Sequence, residues 1–283
     1  MTSVSDLAGR LGLKKHPKSW RGACPSCGYS GAFSVRAGRD RPLLYCSNGC
    51  DRDTLGSTVA RIAGGEWQPP ERDTTGDDAA RRRRQAAALR MLERCLPAAG
   101  TLADRYLMGR GLAGLAASPA LHFLASTPHP ESGTYPAMIA AVRDSTGAVV
   151  AAHRTFLDPA TARKAAVTPA KASLGPVWGG AIRLHPAAAE LVIGEGIETA
   201  ASAGRLLGLP AWAAISAGNL ARGLVLPPEV RSVVIATDAD PAGQDAARAA
   251  WTRWTAEGRK VRIATPDRPG ADFNDILMEA HRG

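Results

Sequence analysis

The sequence predicts an α/β protein in which a small cysteine-containing module precedes a larger region that ends in an open parallel sheet. Four of the five cysteines lie within the first 50 residues, where long apolar runs are few. A segment of this kind is stabilised by a structural metal ion or by disulfides rather than by a large hydrophobic core. From Leu191 onward, short apolar runs alternate with helix-forming stretches, a pattern typical of parallel strands joined by helices.

The composition is that of a folded protein. Of the 283 residues, 45% are hydrophobic and 22% are charged, which excludes disorder, a collagen-like repeat or a coiled coil as a description of the whole chain. No apolar stretch approaches the roughly 20 residues that span a bilayer, and the first residues lack the apolar segment of a secretory signal. We therefore expect no membrane segment and a cytoplasmic location.

The chain is basic, with 35 Lys and Arg against 26 Asp and Glu and a formal net charge of +9. The positive surplus lies before residue 191, whereas the last third carries slightly more acidic than basic residues. We expect such a split when one part of a protein binds a polyanion and another part binds metal ions.

Shifts in composition divide the chain into four segments. We expect a cysteine module over residues 1–65, a linker and basic helix over 66–96, a mixed α/β region over 97–189, and the parallel-sheet region over 190–283. Pro, Gly and Thr mark the linker. The helix, expected over 77–96, carries four consecutive arginines at 81–84.

The last two segments contain the elements that hold the motifs. A helix is expected over residues 101–108, and a β-hairpin pairs residues 138–143 with 148–156. Two further helices are expected, over 197–207 and 242–257. Strands of the parallel sheet are expected over 191–193, 211–215, 233–236 and 261–264.

The N-terminal cysteines form two close pairs. Cys24 and Cys27 flank Pro-Ser, and Cys46 and Cys50 flank Ser-Asn-Gly, with eighteen residues between the pairs. In a cytosolic protein, this spacing fits four thiolates around a tetrahedral zinc ion better than it fits disulfides. We therefore expect a zinc ribbon. Cys95 stands alone, and we expect it to be a buried small apolar residue.

Three carboxylates follow predicted strands. Glu195 ends the segment Leu-Val-Ile-Gly-Glu, and Asp238 and Asp240 follow Val-Val-Ile-Ala-Thr. Because ligands of open parallel sheets bind at the carboxyl ends of the strands, we expect the three side chains to converge on one crevice. Three anions there would repel one another without a bound cation, and hard oxygen ligands favour Mg²⁺ or Mn²⁺.

Four more acidic residues lie near this edge. Asp272 and Asp275 follow the last strand, and they could extend the site or cap a terminal helix over residues 276–280. Glu198 and Asp245 lie one turn into their helices, where we expect them to interact with the positive helix N-terminus rather than with a metal ion.

These motifs resemble the Toprim superfamily, whose signature is a glutamate after the first strand and an Asp-x-Asp after the third. The matching segments are 194–199, 237–243 and 272–275. Together with the zinc ribbon, they resemble the bacterial and phage-type DNA primases, in particular the compact zinc-finger–Toprim primase-like proteins of phages, plasmids and integrated elements. Segments 106–112 and 153–157 also match that group.

The resemblance implies a primase-type catalytic core that ends in a Rossmann-like Toprim unit. It implies synthesis of short RNA primers on single-stranded DNA, in which a 3′-hydroxyl attacks the α-phosphate of a nucleoside triphosphate and pyrophosphate leaves. Asp238 and Asp240 would hold Mg²⁺, and Glu195 would be a further ligand or the base that activates the hydroxyl. Asp272 is a further candidate ligand.

Basic residues just upstream of the acidic strands are the candidates for triphosphate and template contacts. They are Arg154, Lys164, Lys171 and Arg183. Such phosphate contacts would make binding fall steeply with salt.

The sequence departs from the family pattern in two ways. Many primases have a Cys-His-Cys-Cys ribbon, whereas this sequence has four cysteines. We expect this difference to leave zinc binding intact and to affect template preference. The sequence also ends soon after Asp275 and contains no Gly-x-x-x-x-Gly-Lys-Ser/Thr loop. We therefore expect a separate replicative helicase as partner, with no fused helicase and no helicase-binding domain.

Two other functions fit the same motifs. Recombination mediators of the RecR type combine a four-cysteine zinc site with a Toprim unit, and they would bind DNA without needing Glu195. A Toprim nuclease would use the same carboxylates with water as the attacking group. The long region between the ribbon and the acidic strands favours the primase over the mediator, and the sequence leaves the nuclease open.

Overall fold

A computed structural model describes residues 4–17, 19–26, 31, 33–38, 42–46, 50, 52–65, 74–238, 240–268 and 270–281. The chain divides into two compact units, Met1–Asp73 and Thr74–Gly283.

In the described residues of the N-terminal unit, the structure has an antiparallel sheet and two helices. Phe33 and Val35 alternate with more exposed positions on one strand, and they pack with Leu7, Leu55 and Val59 in a small core. The strand order is β1-β2-β3-β4. The elements are α1 (Val4–Arg10), β1 (Lys14–His16), β2 (Ser19–Gly22), β3 (Phe33–Ala37), β4 (Pro42–Cys46) and α2 (Arg52–Ala63).

The second unit contains two five-stranded sheets and five helices among the residues described there. A 3₁₀ turn covers Leu115–Ala117 and a π-helical turn covers Asn219–Gly223. Its first part comprises α3 (Thr74–Leu92), β5 (Leu96–Pro97), α4 (Leu102–Met108), β6 (Leu121–Pro128), β7 (Thr134–Arg143), β8 (Val149–Phe156) and β9 (Lys171–Leu174). Its second part comprises β10 (Ile182–Arg183), β11 (Glu190–Gly194), α5 (Ile197–Leu207), β12 (Ala211–Ala213), β13 (Ser232–Ala236), α6 (Pro241–Ala256), β14 (Lys260–Ala264) and α7 (Phe273–Ala280).

The first of these sheets is antiparallel, in the order β5-β6-β7-β8-β9. Its centre is the hairpin that the sequence predicts, with β7 paired to β8. Side chains of β7 alternate between two cores, since Met138 and Ala140 pack in one and Ile139 packs in the other. Helix α3 covers the second face, where Ala88 is fully buried.

The second sheet confirms the predicted parallel α/β architecture. Its order is β10-β12-β11-β13-β14, and β12, β11, β13 and β14 are parallel. Helix α5 packs on one face against Val192 and Val234, and α6 packs on the other against Ile193 and Ile235. This arrangement directs the carboxyl ends of four strands to one edge.

Some boundaries differ from the sequence-based expectation. The basic helix ends at Leu92 rather than at residue 96, because Leu96 and Pro97 pair with β6. The strand expected over 211–215 ends at Ala213, since Ile215 turns into a left-handed conformation. The pairing of β10 with the parallel sheet was not predicted. No helix in the described part of the chain is long and apolar enough to cross a membrane.

Candidate active site

Glu195 follows β11 in a turn that is tied to β12. The Glu195 carbonyl accepts a hydrogen bond from the Ile215 amide at 2.8 Å, and the Ala217 amide donates to the carboxylate. Ile215 has a φ of 76°, a conformation that costs a β-branched residue about 1–3 kcal/mol. Burial and the nearby Asp238 carboxylate raise the pKa of Glu195.

Asp238 follows β13 on the neighbouring parallel strand. Its Oδ1 accepts a hydrogen bond from Thr199 Oγ1 at 3.3 Å, which links it to the first turn of α5. Burial raises the pKa of Asp238, and the carboxylates of Asp272 and Asp240 raise it further. The predicted acidic residues therefore act on one another electrostatically at one edge of the sheet.

Asp240 begins α6. Its Oδ1 accepts a hydrogen bond from the Gly243 amide at 2.7 Å, so this carboxylate caps the helix. Glycine at position 243 lets the backbone come this close to Asp240, because a Cβ there would lie 2.8 Å from Thr237 Oγ1. One carboxylate oxygen of Asp240 thus has a fixed partner.

Asp272 and Asp275 form the capping box of α7. The Asp275 amide donates to Asp272 Oδ1 at 2.8 Å, and the Asp272 amide donates to Asp275 Oδ2 at 3.2 Å. Both residues therefore cap the terminal helix, as the sequence allowed. Asp272 also lies near enough to Asp238 to raise its pKa.

The chemistry of this edge fits a hard divalent cation. Its donors are carboxylate oxygens, which Mg²⁺ and Mn²⁺ prefer, and the raised pKa values of Glu195 and Asp238 reflect burial and uncompensated negative charge. In the described residues, however, these oxygens do not all lie within 4.8 Å of one another. A bound ion would therefore draw them closer or bind through water, as Mg²⁺ commonly does.

A buried ion cluster lies beside the acidic edge. Glu198 Oε1 lies 3.1 Å from Lys164 Nζ, and Glu198 Oε2 lies 3.4 Å from Lys171 Nζ. Tyr106 donates its hydroxyl hydrogen to Glu198 Oε1. Burial alone would raise the pKa of Glu198. The ammonium groups of Lys171 and Lys164 outweigh this effect and hold the pKa below its usual range.

A cavity of about 680 Å³ opens next to this cluster. Tyr106 and Lys164 line it together with Arg105, Arg110 and Arg163, so basic side chains form much of its wall. The acidic Asp275 and Glu279 line it too. Positive charge thus continues from the ion cluster into an open cavity.

Arg154 and Arg183, the two arginines predicted to contact nucleotide or template, are bonded to backbone carbonyls. Arg154 is buried in β8 and donates to Pro128 O at 2.9 Å and to Ala172 O at 3.3 Å. Arg183 donates to Asp144 O at 2.5 Å. Their guanidinium groups therefore hold loops and strands together in this structure.

The N-terminal unit brings three of the four predicted zinc ligands together. The sulfur atoms of Cys24, Cys46 and Cys50 all lie within 4.8 Å of one another, and Cys24 Sγ is 3.7 Å from Cys50 Sγ. Cys27 lies outside the described residues. Thiolates in such a cluster are the ligands that a structural zinc ion prefers.

Cys95 belongs to the other unit and behaves differently. Cys95 is only partly buried, whereas the sequence predicts a buried residue. Its Sγ donates to Met91 O at 3.2 Å, and burial raises the pKa of the thiol to about 11. It therefore stays a protonated thiol, which agrees with its exclusion from the metal ligands.

Sequence reasoning missed the links that Glu198 makes. Glu198 lies in the first turn of α5, as expected. Its side chain is, however, almost completely buried and pairs with Lys164 and Lys171, which precede the parallel sheet in the sequence. The available signal was its position within the Gly-Glu-Gly-Ile-Glu-Thr motif. The pairing partners lie far away in sequence, and only the fold brings them together.

Two family models match the chain. Residues 82–184 match a domain of unknown function (DUF7146), and residues 190–282 match the Toprim domain. The second match covers β11 to β14 and every acidic residue at the sheet edge, and it confirms the predicted Toprim unit. No curated protein matches the chain in sequence.

Several solved structures resemble the chain at low sequence identity. A DNA primase domain from Pseudomonas aeruginosa is 18% identical with a TM-score of 0.46, over 70% of this chain and 77% of that one. The primase fragment of the bacteriophage T7 primase-helicase protein is 14% identical with a TM-score of 0.45, over 93% and 96%. The zinc-binding and RNA polymerase domains of Aquifex aeolicus primase are 14% identical with a TM-score of 0.46, over 100% and 85%.

Proposed function

We propose that this chain, whose residues 190–282 are a Toprim domain, is a DNA primase that synthesises short RNA primers on single-stranded DNA. The observation that carries the proposal is the acidic edge formed by Glu195, Asp238 and Asp240, with a lysine-containing ion cluster beside it. Anionic ligands for a metal next to cations for phosphate are what nucleotidyl transfer requires. The expected setting is phage or mobile-element replication.

Glu195, Asp238 and Asp240 would hold Mg²⁺ or Mn²⁺, with Asp272 as a further candidate. When bound, the metal would polarise the α-phosphate and stabilise the leaving oxygens. Neighbouring protein groups fix the orientation of the three carboxylates. Thr199 fixes Asp238, the helix cap fixes Asp240, and the Ala217 amide fixes Glu195, which is either a metal ligand or the base for the 3′-hydroxyl.

Lys164 and Lys171 are the stronger candidates for triphosphate contacts. Both side chains remain partly exposed, with 29% and 38% of their surface accessible. Arg154 and Arg183 remain proposed contacts of the template, although their bonds to backbone carbonyls would have to be shared or exchanged.

The N-terminal unit would hold a structural zinc ion through Cys24, Cys27, Cys46 and Cys50. The clustering of three of these cysteines supports the proposal. We propose the domain order of a zinc ribbon over residues 1–65, a linker and basic helix over 66–96, the first subdomain of the catalytic core over 97–189, and the Toprim domain over 190–283. A separate replicative helicase is the proposed partner.

The test is incorporation of labelled nucleotides on single-stranded DNA with Mg²⁺ or Mn²⁺. The wild type should make short RNA products, and Asp238→Asn/Asp240→Asn should make none while retaining its fold. Asp245→Asn is the matched control, because Asp245 lies on α6, is exposed and pairs with Arg248.

The other outcomes each identify a different function. Shortening of the template instead of synthesis would mark a Toprim nuclease. Tight DNA binding without turnover, unchanged by Glu195→Gln, would mark a recombination mediator.

A further inference from the structure

Glu198 is too deeply buried to touch a substrate. Only 7% of its side chain is accessible, whereas Lys164 and Lys171 are 29% and 38% accessible. The contacts of this cluster with a ligand must therefore come from the groups that Glu198 binds. Those groups are the two ammonium groups and the Tyr106 hydroxyl.

The charges in this cluster do not cancel. One carboxylate faces two ammonium groups, which leaves an excess of one positive charge. Each ammonium has three N–H donors, and the contact with Glu198 uses one of them. The remaining donors belong to partly exposed side chains and can bind a phosphate.

The cluster borders the acidic edge directly. A Cβ built on Gly196 would lie 3.7 Å from Lys171 Nζ and 3.5 Å from Glu198 Oε2, so both groups lie against the turn that carries Glu195. The positive charge of Lys171 also acts on Glu195 and Asp238. Phosphates bound by the lysines would therefore lie next to the carboxylates.

We infer that Glu198 is a positioning residue, which anchors Lys164 and Lys171 so that their free donors bind the phosphate groups of a nucleoside triphosphate. The inference rests on the proposed function and identifies how the same site holds its substrate. Long lysine side chains lose much rotamer freedom when they bind a ligand. An anchor that fixes them beforehand reduces this loss, which is preorganisation.

The first test is binding of ATP and GTP by the full chain with Mg²⁺. Glu198→Gln keeps the size of the side chain and an oxygen for Tyr106, but it removes the charge that holds the lysines. We expect the Kd for each triphosphate to rise roughly 10- to 100-fold, which corresponds to the cost of immobilising two lysine side chains on binding. Adenosine, which has no phosphates, should bind as it does to the wild type.

Two further variants complete the series. Glu198→Asp keeps the charge but shortens the side chain by one methylene, so it should weaken triphosphate binding while folding normally. If Glu198→Gln does not fold, Glu198→Asp serves as the test variant. Glu190→Gln is the matched control, because Glu190 pairs with Arg262 at an exposed site at the start of β11. It should leave the Kd unchanged.

A chemical readout tests the anchor without using binding or activity. In the folded Glu198→Gln variant, reductive methylation of Lys164 and Lys171 should become several-fold faster, and that of the exposed Lys260 should not. In primer synthesis, the KM for nucleotide should rise more than kcat falls.

The outcomes separate the two proposals. A wild type that binds triphosphate through this cluster but makes no primer overturns the proposed function and leaves the role of Glu198 intact. Unchanged Kd values in folded Glu198→Gln, unchanged methylation of both lysines, or no triphosphate binding by the wild type would overturn the positioning role.

Discussion

Oε1 of Glu198 lies 3.1 Å from Nζ of Lys164, and it joins the Toprim domain to the connection between β8 and β9. The same carboxylate reaches Lys171 at the start of β9. These contacts tie the antiparallel sheet to the first turn after β11, where Glu195 lies. Ion pairs thus connect the two sheets of the second unit at the edge where its acidic residues lie.

Magnesium should stabilise the wild type through the acidic edge. In EDTA, Asp238→Asn should raise the free energy of unfolding by about 1 kcal/mol, because it removes one of several mutually repelling carboxylates. Millimolar Mg²⁺ should raise the Tm of the wild type by mass action and have much less effect on this variant. Thermal unfolding in EDTA and in Mg²⁺ measures both effects, with Asp245→Asn as the control. An equal Mg²⁺-induced rise in Tm for the wild type and Asp238→Asn would place the metal elsewhere.

The cysteine cluster should bind one zinc ion per chain. Cys24→Ser and Cys46→Ser should each lose zinc and unfold the N-terminal unit, because a small zinc module takes much of its folding free energy from the metal. Atomic emission on the purified protein measures the metal content. Cys95→Ser is the control and should retain full zinc, since its thiol bonds to Met91 O in the other unit. Full zinc content in Cys24→Ser would refute the assignment.

Buried His153 should make stability depend on pH. Burial, aided by the charge of Lys171, lowers the pKa of His153 to about 4 in the folded protein, whereas the unfolded value is about 6.5. Between these values the unfolded chain binds more protons, so stability falls as the pH falls from about 6.5 to 4. The full loss is about 3 kcal/mol.

Urea unfolding across this pH range measures the effect. His153→Gln should flatten the dependence, because glutamine does not titrate. His16→Gln, on the exposed strand β1, should leave it unchanged. An equally steep dependence in His153→Gln would show that other groups carry it.

The two glycines that flank Glu195 should respond differently to alanine. A Cβ at Gly194 would lie 2.8 Å from the Ala200 amide nitrogen and 2.9 Å from its Cα, so α5 would have to move. Gly194→Ala should therefore lower the free energy of unfolding by about 1–3 kcal/mol. At Gly196 the nearest atom is 3.5 Å away, and Gly196→Ala should be nearly neutral. Chemical denaturation of both variants checks this, and equal stabilities would argue against close packing of α5 on β11.

The sequence was sufficient for the parallel sheet and its acidic edge. The runs around Leu191, Val233 and Val261 are short, apolar and separated by helices, so their strands follow from local pattern. Glu195 and Asp238 then lie near enough to interact electrostatically, because parallel strands end at one edge. The cap formed by Asp272 was one of its two expected roles, whereas the cap formed by Asp240 was not predicted.

The ion cluster could not be predicted in this way. Tyr106, Lys164 and Glu198 belong to three separate segments, and no periodicity relates them. Arg154 and Arg183 show the same limit, because their bonds to the carbonyls of Pro128 and Asp144 depend on how the strands pack. Tertiary partners of long polar side chains are set by the fold as a whole.

The measurement that tests the central claim most directly is the identity of the first product on a single-stranded DNA template. Mass spectrometry should find a short RNA with an intact 5′-triphosphate, with one pyrophosphate released per bond formed, and Asp238→Asn/Asp240→Asn should produce neither. Absence of this product from the folded, zinc- and Mg²⁺-loaded wild type over a range of templates, or its undiminished formation by the double variant, would contradict the account.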